Sequence, residues 1–337
     1  MDIDTFFTEL YVITDDWYKA ELAGELHKHA GATVQMSDSE VLTVMLAGQW
    51  RKGVPWSSER GILRWLEAHG RGLFPRLLKR SGFNERGRWL WGAFIKLQHW
   101  LAEALGRDQA SYECIDGEPV PAYSCGQELR ENGHWLWESQ RGHGGTGGGW
   151  FIGDRLFASV TDNGIITGWL LGIANVNERW LLQAFLSTRA GQTDLAGPSP
   201  DKRHARGDIT PPVERIGPLS AVGCPAGVPY VADRGFNGQR WRDHWRQTCQ
   251  STVLTVPPDN APNAWSPADK HILASWRQII ETVFGILADV FALKRVNAHS
   301  YLGLYTRVAA KCAVFNLGIL LNRRHHRPDL AHATLIL

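Results

Sequence analysis

Residues 156–171 read LFASVTDNGIITGWLL, which is an apolar run, a short polar turn and a second apolar run. The turn, Asp162-Asn163-Gly164, is typical of a tight connection between antiparallel strands, because asparagine and glycine tolerate the positive φ angles that such turns require. The stretch therefore predicts a β-hairpin whose strands cover Leu156–Val160 and Ile165–Leu171.

Three more strands are predicted on either side of this hairpin, and three helices follow it. The strands are Tyr112–Asp116, Val228–Asp233 and Thr252–Val256, and the helices are Asn177–Ser187, Gln239–Cys249 and Ile272–Leu293. Three sequential strands followed by strands that alternate with helices is the order of a ribonuclease-H-like fold. We therefore expect an α/β catalytic core in which a mixed five-stranded sheet is flanked by helices.

The first part of the chain has a helical pattern. Capping residues in Met36–Glu40 precede an apolar stretch, Ser57–Arg60 precede an amphipathic one, and apolar residues recur every three or four positions in Trp89–Leu105. The sequence thus predicts an all-helical N-terminal domain over residues 1–107 and a catalytic domain over residues 108–337.

One segment of the predicted catalytic domain has a different composition. Residues 189–227 are rich in proline, glycine and charge. Such a composition breaks regular structure, so we expect a long loop or a small insertion there.

The composition is that of an ordinary globular protein: 337 residues, 44% hydrophobic and 21% charged. No apolar run approaches the length of about 18 residues that a membrane span needs, and the N-terminus, Met1-Asp2-Ile3-Asp4, is unlike a signal peptide. We expect a cytoplasmic protein without a membrane partner. The five cysteines are scattered and show no paired spacing, which argues against a disulfide framework or a zinc site.

The net charge of +2 is too small to indicate a nucleic-acid partner, but the predicted helical domain is locally basic. That surface could bind a DNA backbone through phosphate contacts, or it could be a solvated basic face. The residues concerned are Arg51, Lys52, Arg60, Arg64, Arg71, Arg76, Lys79, Arg80, Arg86 and Arg88.

Three acidic residues stand at chemically suggestive places. Asp116 and Asp233 end strands that should lie side by side, and Glu281 lies on the last predicted helix, four residues after Arg277. We expect Glu281 to reach inward from that helix. Each acid alone is readily explained as structural, but together they predict a carboxylate cluster. Oxygen ligands of this kind suit Mg²⁺ or Mn²⁺, and two-metal carboxylate sites commonly cut or join phosphodiesters.

Motifs along nearly the whole chain resemble those of a known family. They are Ser37–Thr43 and Leu73–Leu77 in the helical part, Ile115–Pro121 around the first acid, Phe151–Phe157, Ala174-Asn175-Val176, Ala232–Phe236 around the second acid, and Arg277–Phe284 around the third. In this order they resemble bacterial insertion-sequence transposases of the DDE class, most of all insertion-sequence family nine-eighty-two. Gly117-Glu118 departs from the group, which more usually has a Ser-Phe type dipeptide after the first acid.

The resemblance implies a function for the whole chain. It implies a transposase that binds terminal inverted repeats in double-stranded DNA and catalyses Mg²⁺-dependent cleavage and strand transfer into target DNA. A homodimer in the DNA complex and a bacterial cytoplasmic location, at the nucleoid when bound to DNA, are implied as well. The alternatives are a ribonuclease-H-like nuclease that cuts without joining and a catalytically inactive, transposase-derived DNA-binding protein.

The resemblance also implies roles for individual residues. Asp116, Asp233 and Glu281 would be the catalytic residues and would hold two Mg²⁺ or Mn²⁺ ions. A second set of basic side chains would contact DNA phosphates, namely Arg277, Arg234, Lys294, Arg295 and Arg155.

Overall fold

A computed structural model describes residues 1–24, 35–123, 140–144, 149–192, 223, 227–257, 265–298 and 300–337. The described residues form an α/β protein with nine α-helices and a mixed six-stranded sheet. They divide into two compact units. The helical unit comprises Met1–Leu101 and Gly285–Leu337, and the sheet unit comprises Ala102–Phe284.

The helices are α1 (Ile3–Glu21), α2 (Asp38–Ala47), α3 (Glu59–His69), α4 (Arg80–Trp89), α5 (Trp91–Ala104), α6 (Glu178–Arg189), α7 (Gln239–Cys249), α8 (Pro267–Asp289) and α9 (Tyr301–Arg324). The strands are β1 (Glu113–Tyr123), β2 (Gln140–His143), β3 (Trp150–Thr161), β4 (Ile166–Ile173), β5 (Tyr230–Val231) and β6 (Val253–Leu254).

Two helices of the helical unit begin at serine caps in the stretches where the sequence predicts them. At α2 the Ser37 hydroxyl accepts from the Glu40 N–H at 3.1 Å, and the Glu40 carboxylate accepts from the Ser37 N–H at 2.6 Å. At α3 the Ser58 hydroxyl accepts from the Gly61 N–H at 3.0 Å. Each cap satisfies an N–H that lacks an intrahelical partner, which fixes where the helix starts.

Helix α9 lies in the core of the helical unit, and the sequence interpretation did not predict it. Nearly all of its residues from Gly303 to Asn322 are buried, so it has no polar face that would create a helical pattern. Within the described part of the chain it is the one helix long and apolar enough to cross a bilayer, but 89% of its most apolar stretch is buried inside the protein. That degree of burial is typical of a core helix.

The sheet is built around β3. Strand β1 pairs antiparallel with β3 from Glu113↔Thr161 onward, while β2 and β4 pair antiparallel with successive parts of β3. Strand β5 pairs parallel with β1 and β6 pairs parallel with β5. The strand order is therefore β2-β3-β1-β5-β6, with β4 beside β3.

The predicted hairpin and the predicted order of strands and helices are confirmed. Gly164 adopts a φ of +82°, and its N–H donates to the Thr161 carbonyl at 2.9 Å. The differences are an additional strand, β2, the shortness of β5 and β6, which have two residues each, and the length of β1. Strand β1 continues to Tyr123, so Asp116 lies inside it and does not end it as predicted. Strand β5 is short because Asp233 already caps a 3-10 helix over Arg234–Phe236.

Helices α6 and α7 pack on one face of the sheet, where Ile115, Phe157 and Leu170 join a core with residues of both helices. Side chains alternate between the two faces of a strand, so Cys114 points to the other face. There its thiol donates to the Trp276 carbonyl of α8 at 3.2 Å, and the Tyr112 ring stacks on Trp276 with centroids 4.8 Å apart. These contacts attach α8 to β1.

A buried ion pair joins β1 to α6. Arg189 donates to the Glu113 carboxylate at 2.5 Å and to the Tyr230 hydroxyl at 3.0 Å, and its side chain is 1% exposed. A second nitrogen of Arg189 donates to Thr167 on β4 at 2.9 Å. One side chain thus connects α6 with three strands of the sheet.

The compact units differ from the predicted domains of residues 1–107 and 108–337. The described chain after Phe284 packs with the N-terminal helices, because α9 supplies the buried core of the helical unit. The predicted insertion at residues 189–227 lies largely outside the described residues.

Candidate functional site

The pairing of β1 with β5 brings Asp116, on β1, close to Asp233, just beyond the end of β5. The parallel register pairs Cys114 with Val231, and each aspartate follows two residues later in its own chain segment. The Asp116 carboxylate accepts from the Gly117 N–H at 2.8 Å, and the Asp233 carboxylate accepts from the Gly235 N–H at 2.7 Å. Local backbone therefore orients both carboxylates.

A third carboxylate, that of Glu178, lies between these two segments. A Cβ atom built on Gly117 would lie 3.3 Å from Glu178 Oε1, and one built on Gly235 would lie 3.5 Å from Glu178 Oε2. Glu178 is the first residue of α6, whose N-cap is Asn177. We call Asp116, Asp233 and Glu178 the carboxylate cluster.

Two arginines neutralise part of this cluster. Arg155 on β3 forms an ion pair with Glu178 and also donates to the His143 carbonyl at 2.9 Å. Arg277 on α8 contacts Asp116, with 3.4 Å between Nη2 and Oδ2. The Nε atoms of both arginines are buried and have no hydrogen-bond partner among the described residues. Buried donors without a partner are uncommon in folded proteins and mark this cluster as a place with a role beyond packing.

The carboxylates shift one another's protonation. The pKa of Asp116 is raised to about 7, mainly by burial and also by the charges of Asp233 and Glu178, while the Gly117 N–H and Arg277 act in the opposite direction. Burial also raises the pKa of Glu178, as does Asp233, whereas Arg155 lowers it. Mutual repulsion of this kind is relieved by a proton or by a bound cation.

Glu281 occupies a different place from the one expected. Its side chain is 62% exposed, so the expectation that it reaches inward from α8 is not met. It lies 3.9 Å from Arg277 Nη2, the same nitrogen that contacts Asp116. Arg277 therefore lies between the first and the third predicted catalytic residues.

The donor set fits a hard cation in its chemistry, since the cluster and Glu281 offer carboxylate oxygens alone. Within the described ranges, however, no group of three or more histidine, cysteine, aspartate or glutamate side chains is arranged to hold a metal ion. Repulsion among the carboxylates supports cation binding, whereas the two arginines compete for the same oxygens. The assignment of Asp116, Asp233 and Glu281 as metal ligands thus stays a prediction.

The other predicted DNA-contacting residues are distributed over both units. Arg234 is exposed directly after Asp233, whereas Arg155 is buried against Glu178. Lys294 and Arg295 form a short 3-10 helix in the helical unit. The sheet unit therefore brings Arg277, Arg155 and Arg234 to the region of the two aspartates.

Sequence reasoning missed Glu178. The predicted helix from Asn177 is confirmed, and a glutamate after an asparagine cap is ordinarily explained by its favourable interaction with the helix N-terminus. Its position two residues after Val176, in the motif Ala174-Asn175-Val176, was the available signal. Proximity to both aspartates arises only when α6 packs on the sheet.

Comparison with known proteins adds no relative. No family model matches the chain, and neither the curated proteins nor the solved structures contain a significant match.

Proposed function

We propose that this chain is a DDE transposase of a bacterial insertion sequence, which binds terminal inverted repeats and catalyses Mg²⁺-dependent DNA cleavage and strand transfer. One observation carries the proposal. Asp116 on β1 and Asp233, two residues beyond the end of β5, each follow the paired residues Cys114 and Val231 by two positions, and Arg277 of α8 lies between Asp116 and Glu281.

The topology supports a ribonuclease-H-like core. Strands β1, β3 and β4 are antiparallel neighbours, and β5 and β6 then alternate with helices and run parallel to β1. The first acidic residue lies on β1 and the second follows β5, so both acids lie where ligands commonly bind in α/β sheets.

The proposed reaction has two steps. Water attacks a phosphorus atom at each end of the element and breaks the bond to the 3′ oxygen, which leaves a 3′-hydroxyl on the element. That hydroxyl then attacks a phosphodiester of target DNA and displaces its 3′ oxygen. Mg²⁺, when bound, supplies Lewis-acid activation of the attacking oxygen and charge stabilisation at the leaving oxygen.

The chain's own residues prepare this chemistry. Asp116, Asp233 and Glu281 would hold the cations, and Glu178 adds negative charge beside both aspartates. Arg277, whose side chain is partly exposed beside Asp116, would donate to the phosphate next to the scissile bond. Arg234, which is exposed beside Asp233, would contact a phosphate of the same DNA strand.

The partners follow from the same proposal. The helical unit would recognise the terminal repeats, and a homodimer would bring two ends together. Lys294 and Arg295, which belong to that unit, would add phosphate contacts, and the protein would act in the bacterial cytoplasm, at the nucleoid.

The decisive experiment is cleavage of end-labelled DNA from the ends of the encoding element, in Mg²⁺ or in EDTA. We expect Mg²⁺-dependent nicking at the repeat boundary and joined products, both lost in Asp116→Asn and Glu281→Gln. Nicking without joining would indicate a nuclease instead. Repeat binding without any nicking, unaffected by either substitution, would indicate a DNA-binding protein that has lost catalysis.

A further inference from the structure

The helical unit contains a basic cavity. None of its lining residues belongs to the carboxylate cluster, which is part of the sheet unit. The cavity has a volume of about 770 Å³, and five arginines line it against two glutamates. A second cavity of about 280 Å³ shares Arg60 and Arg80 with the first and adds Arg64. The two cavities therefore adjoin along a strip of arginines.

Most of this positive charge is uncompensated. Glu59 forms a bidentate ion pair with Arg307, whose guanidinium donates to both Glu59 carboxylate oxygens at 2.7 Å. By contrast, Arg60, Arg80 and Arg88 form no ion pair with any residue that the structure describes. An anion that enters the cavity thus meets arginines whose hydrogen-bond donors are available.

Cations are also crowded beneath the cavity. Lys311 is 1% exposed and donates to the Gln49 side chain at 2.9 Å, and Gln49 lines the cavity. Burial holds the pKa of Lys311 well below its usual range, and the charges of Arg51 and Arg307 lower it further. Burial and Arg307 likewise lower the pKa of Arg51. A bound anion would relieve this repulsion.

The backbone adds donors at the same place. Helix α4 starts at Arg80 and Ser81, which both line the cavity, and its N-cap residue, Lys79, makes no side-chain capping bond. The first N–H groups of a helix lack intrahelical partners and favour negative charge. Helices α2 and α3 differ, because serines cap them.

We propose that these two adjoining cavities bind phosphate groups of a DNA backbone, with Arg60 and Arg80 as the central contacts. A polymer is favoured over a small anion because the arginines line two cavities that share Arg60 and Arg80. The choice of DNA as the partner rests on the proposed function. The cavity itself requires no catalysis by the sheet unit.

Fluorescence anisotropy with a labelled duplex of about 30 base pairs tests this proposal, with the full-length chain, in EDTA and over a series of KCl concentrations. The test variant is Arg60→Ala/Arg80→Ala. The control is Arg246→Ala/Arg324→Ala, which removes the same charge from two exposed positions outside both cavities. All four positions are exposed, so folding should persist, and circular dichroism checks it.

We expect the cavity variant to bind at least about tenfold more weakly, with a salt slope smaller by about 2, since each phosphate contact contributes about 0.9. The control should change affinity by less than about threefold. Equal losses in both variants would mean general charge attraction and overturn the proposal. Micromolar binding of inorganic pyrophosphate that depends on Arg60 and Arg80, with duplex binding unaffected, would also overturn it and assign a small phosphoanion.

Because EDTA prevents metal-dependent cleavage, this binding result is independent of the cleavage assay. Duplex binding through the cavity could hold for a protein without transposase activity. Conversely, a cleavage-active chain whose cavity variant binds normally would refute the cavity while leaving the proposed function intact.

Discussion

Asp116 Oδ2 and Arg277 Nη2 lie 3.4 Å apart, so a charged contact joins β1 to α8 beside the carboxylate cluster. The contact depends on the attachment of α8 to β1 through Cys114 and Tyr112, which hold Trp276 next to Arg277. Arg277 favours the charged form of Asp116, while burial and two neighbouring carboxylates oppose it. The balance makes Asp116 sensitive to pH and to each of its neighbours.

Replacing Asp116 with asparagine should stabilise the fold in EDTA while abolishing cleavage. The pKa of Asp116 is raised from 3.8 to about 7. The folded chain therefore binds a proton that the unfolded chain releases, and stability falls as pH rises through this window. Asparagine stays neutral at both pH values. The free energy of unfolding should therefore increase by more at pH 8, up to about 4 kcal/mol, than at pH 5. Thermal unfolding at both pH values measures it.

Asp108→Asn serves as the control for that measurement, because Asp108 is exposed in a 3-10 helix. Its change in stability at the two pH values is the reference against which the gain of Asp116→Asn is compared. An equal gain for Asp116→Asn at the two pH values would contradict the raised pKa.

Arg277→Ala should slow cleavage about 10- to 100-fold, the cost of losing a charge-assisted contact. The loss of Arg277 also raises the pKa of Asp116, so the acidic limb of the cleavage pH profile should move to higher pH. Gln278→Ala, at the next and exposed position of α8, is the matched control. A pH profile identical to wild type would remove Arg277 from the electrostatics of the site.

Glu178→Gln and Glu281→Gln should differ in their effect on Asp116. The charge of Glu178 raises the pKa of Asp116, so its removal should lower that pKa. Glu281 is exposed and lies on the far side of Arg277, so its removal should leave the Asp116 pKa nearly unchanged while cleavage is lost. Carboxyl NMR titration of each variant separates the two effects. Equal pKa changes would show that Glu281 approaches Asp116 in solution.

Gly117→Ala should destabilise the sheet unit by about 1–3 kcal/mol, a typical cost of overpacking. The new Cβ would lie 2.9 Å from Arg155 Cδ and 3.3 Å from Glu178 Oε1, and the Arg155–Glu178 pair would have to move. Gly285→Ala is the contrasting change, because nothing lies within 4 Å of its added Cβ in α8. That variant should gain up to about 1 kcal/mol from helix propensity. Urea unfolding compares the two, and a stable Gly117→Ala protein would contradict the packing of Glu178.

Arg189→Met should cost about 3–5 kcal/mol, because it leaves the buried Glu113 carboxylate without its charged partner. Arg189→Met/Glu113→Leu should restore part of that loss, since no buried charge then remains. Lys19→Ala is a useful comparison. Lys19 is 70% exposed in its pair with Asp15, and solvent screening should make the cost of this change far smaller than that of Arg189→Met. A similarly small cost for Arg189→Met in denaturant titrations would contradict the dependence of Glu113 on Arg189.

Local sequence determined much of the framework. The Asp162-Asn163-Gly164 turn, the serine caps at Ser37 and Ser58 and the helix over Gln239–Cys249 follow from residues close together in the chain. Backbone conformation and capping depend on such neighbours, so periodicity and turn chemistry predict them. The two aspartates could also be predicted together, because each follows by two residues a position at which β1 and β5 pair in parallel.

Tertiary structure alone decided the rest. Glu178 joins the aspartates only because α6 packs on the sheet, and the outward direction of Glu281 depends on how α8 is attached to β1. Helix α9 has no amphipathic pattern, and its Arg307 meets Glu59 across 248 residues of chain. Such contacts depend on which buried faces fit together, and no short stretch of sequence records that choice. The sequence by itself therefore determined the order of the elements and the positions of two acids, whereas packing decided which charges surround them.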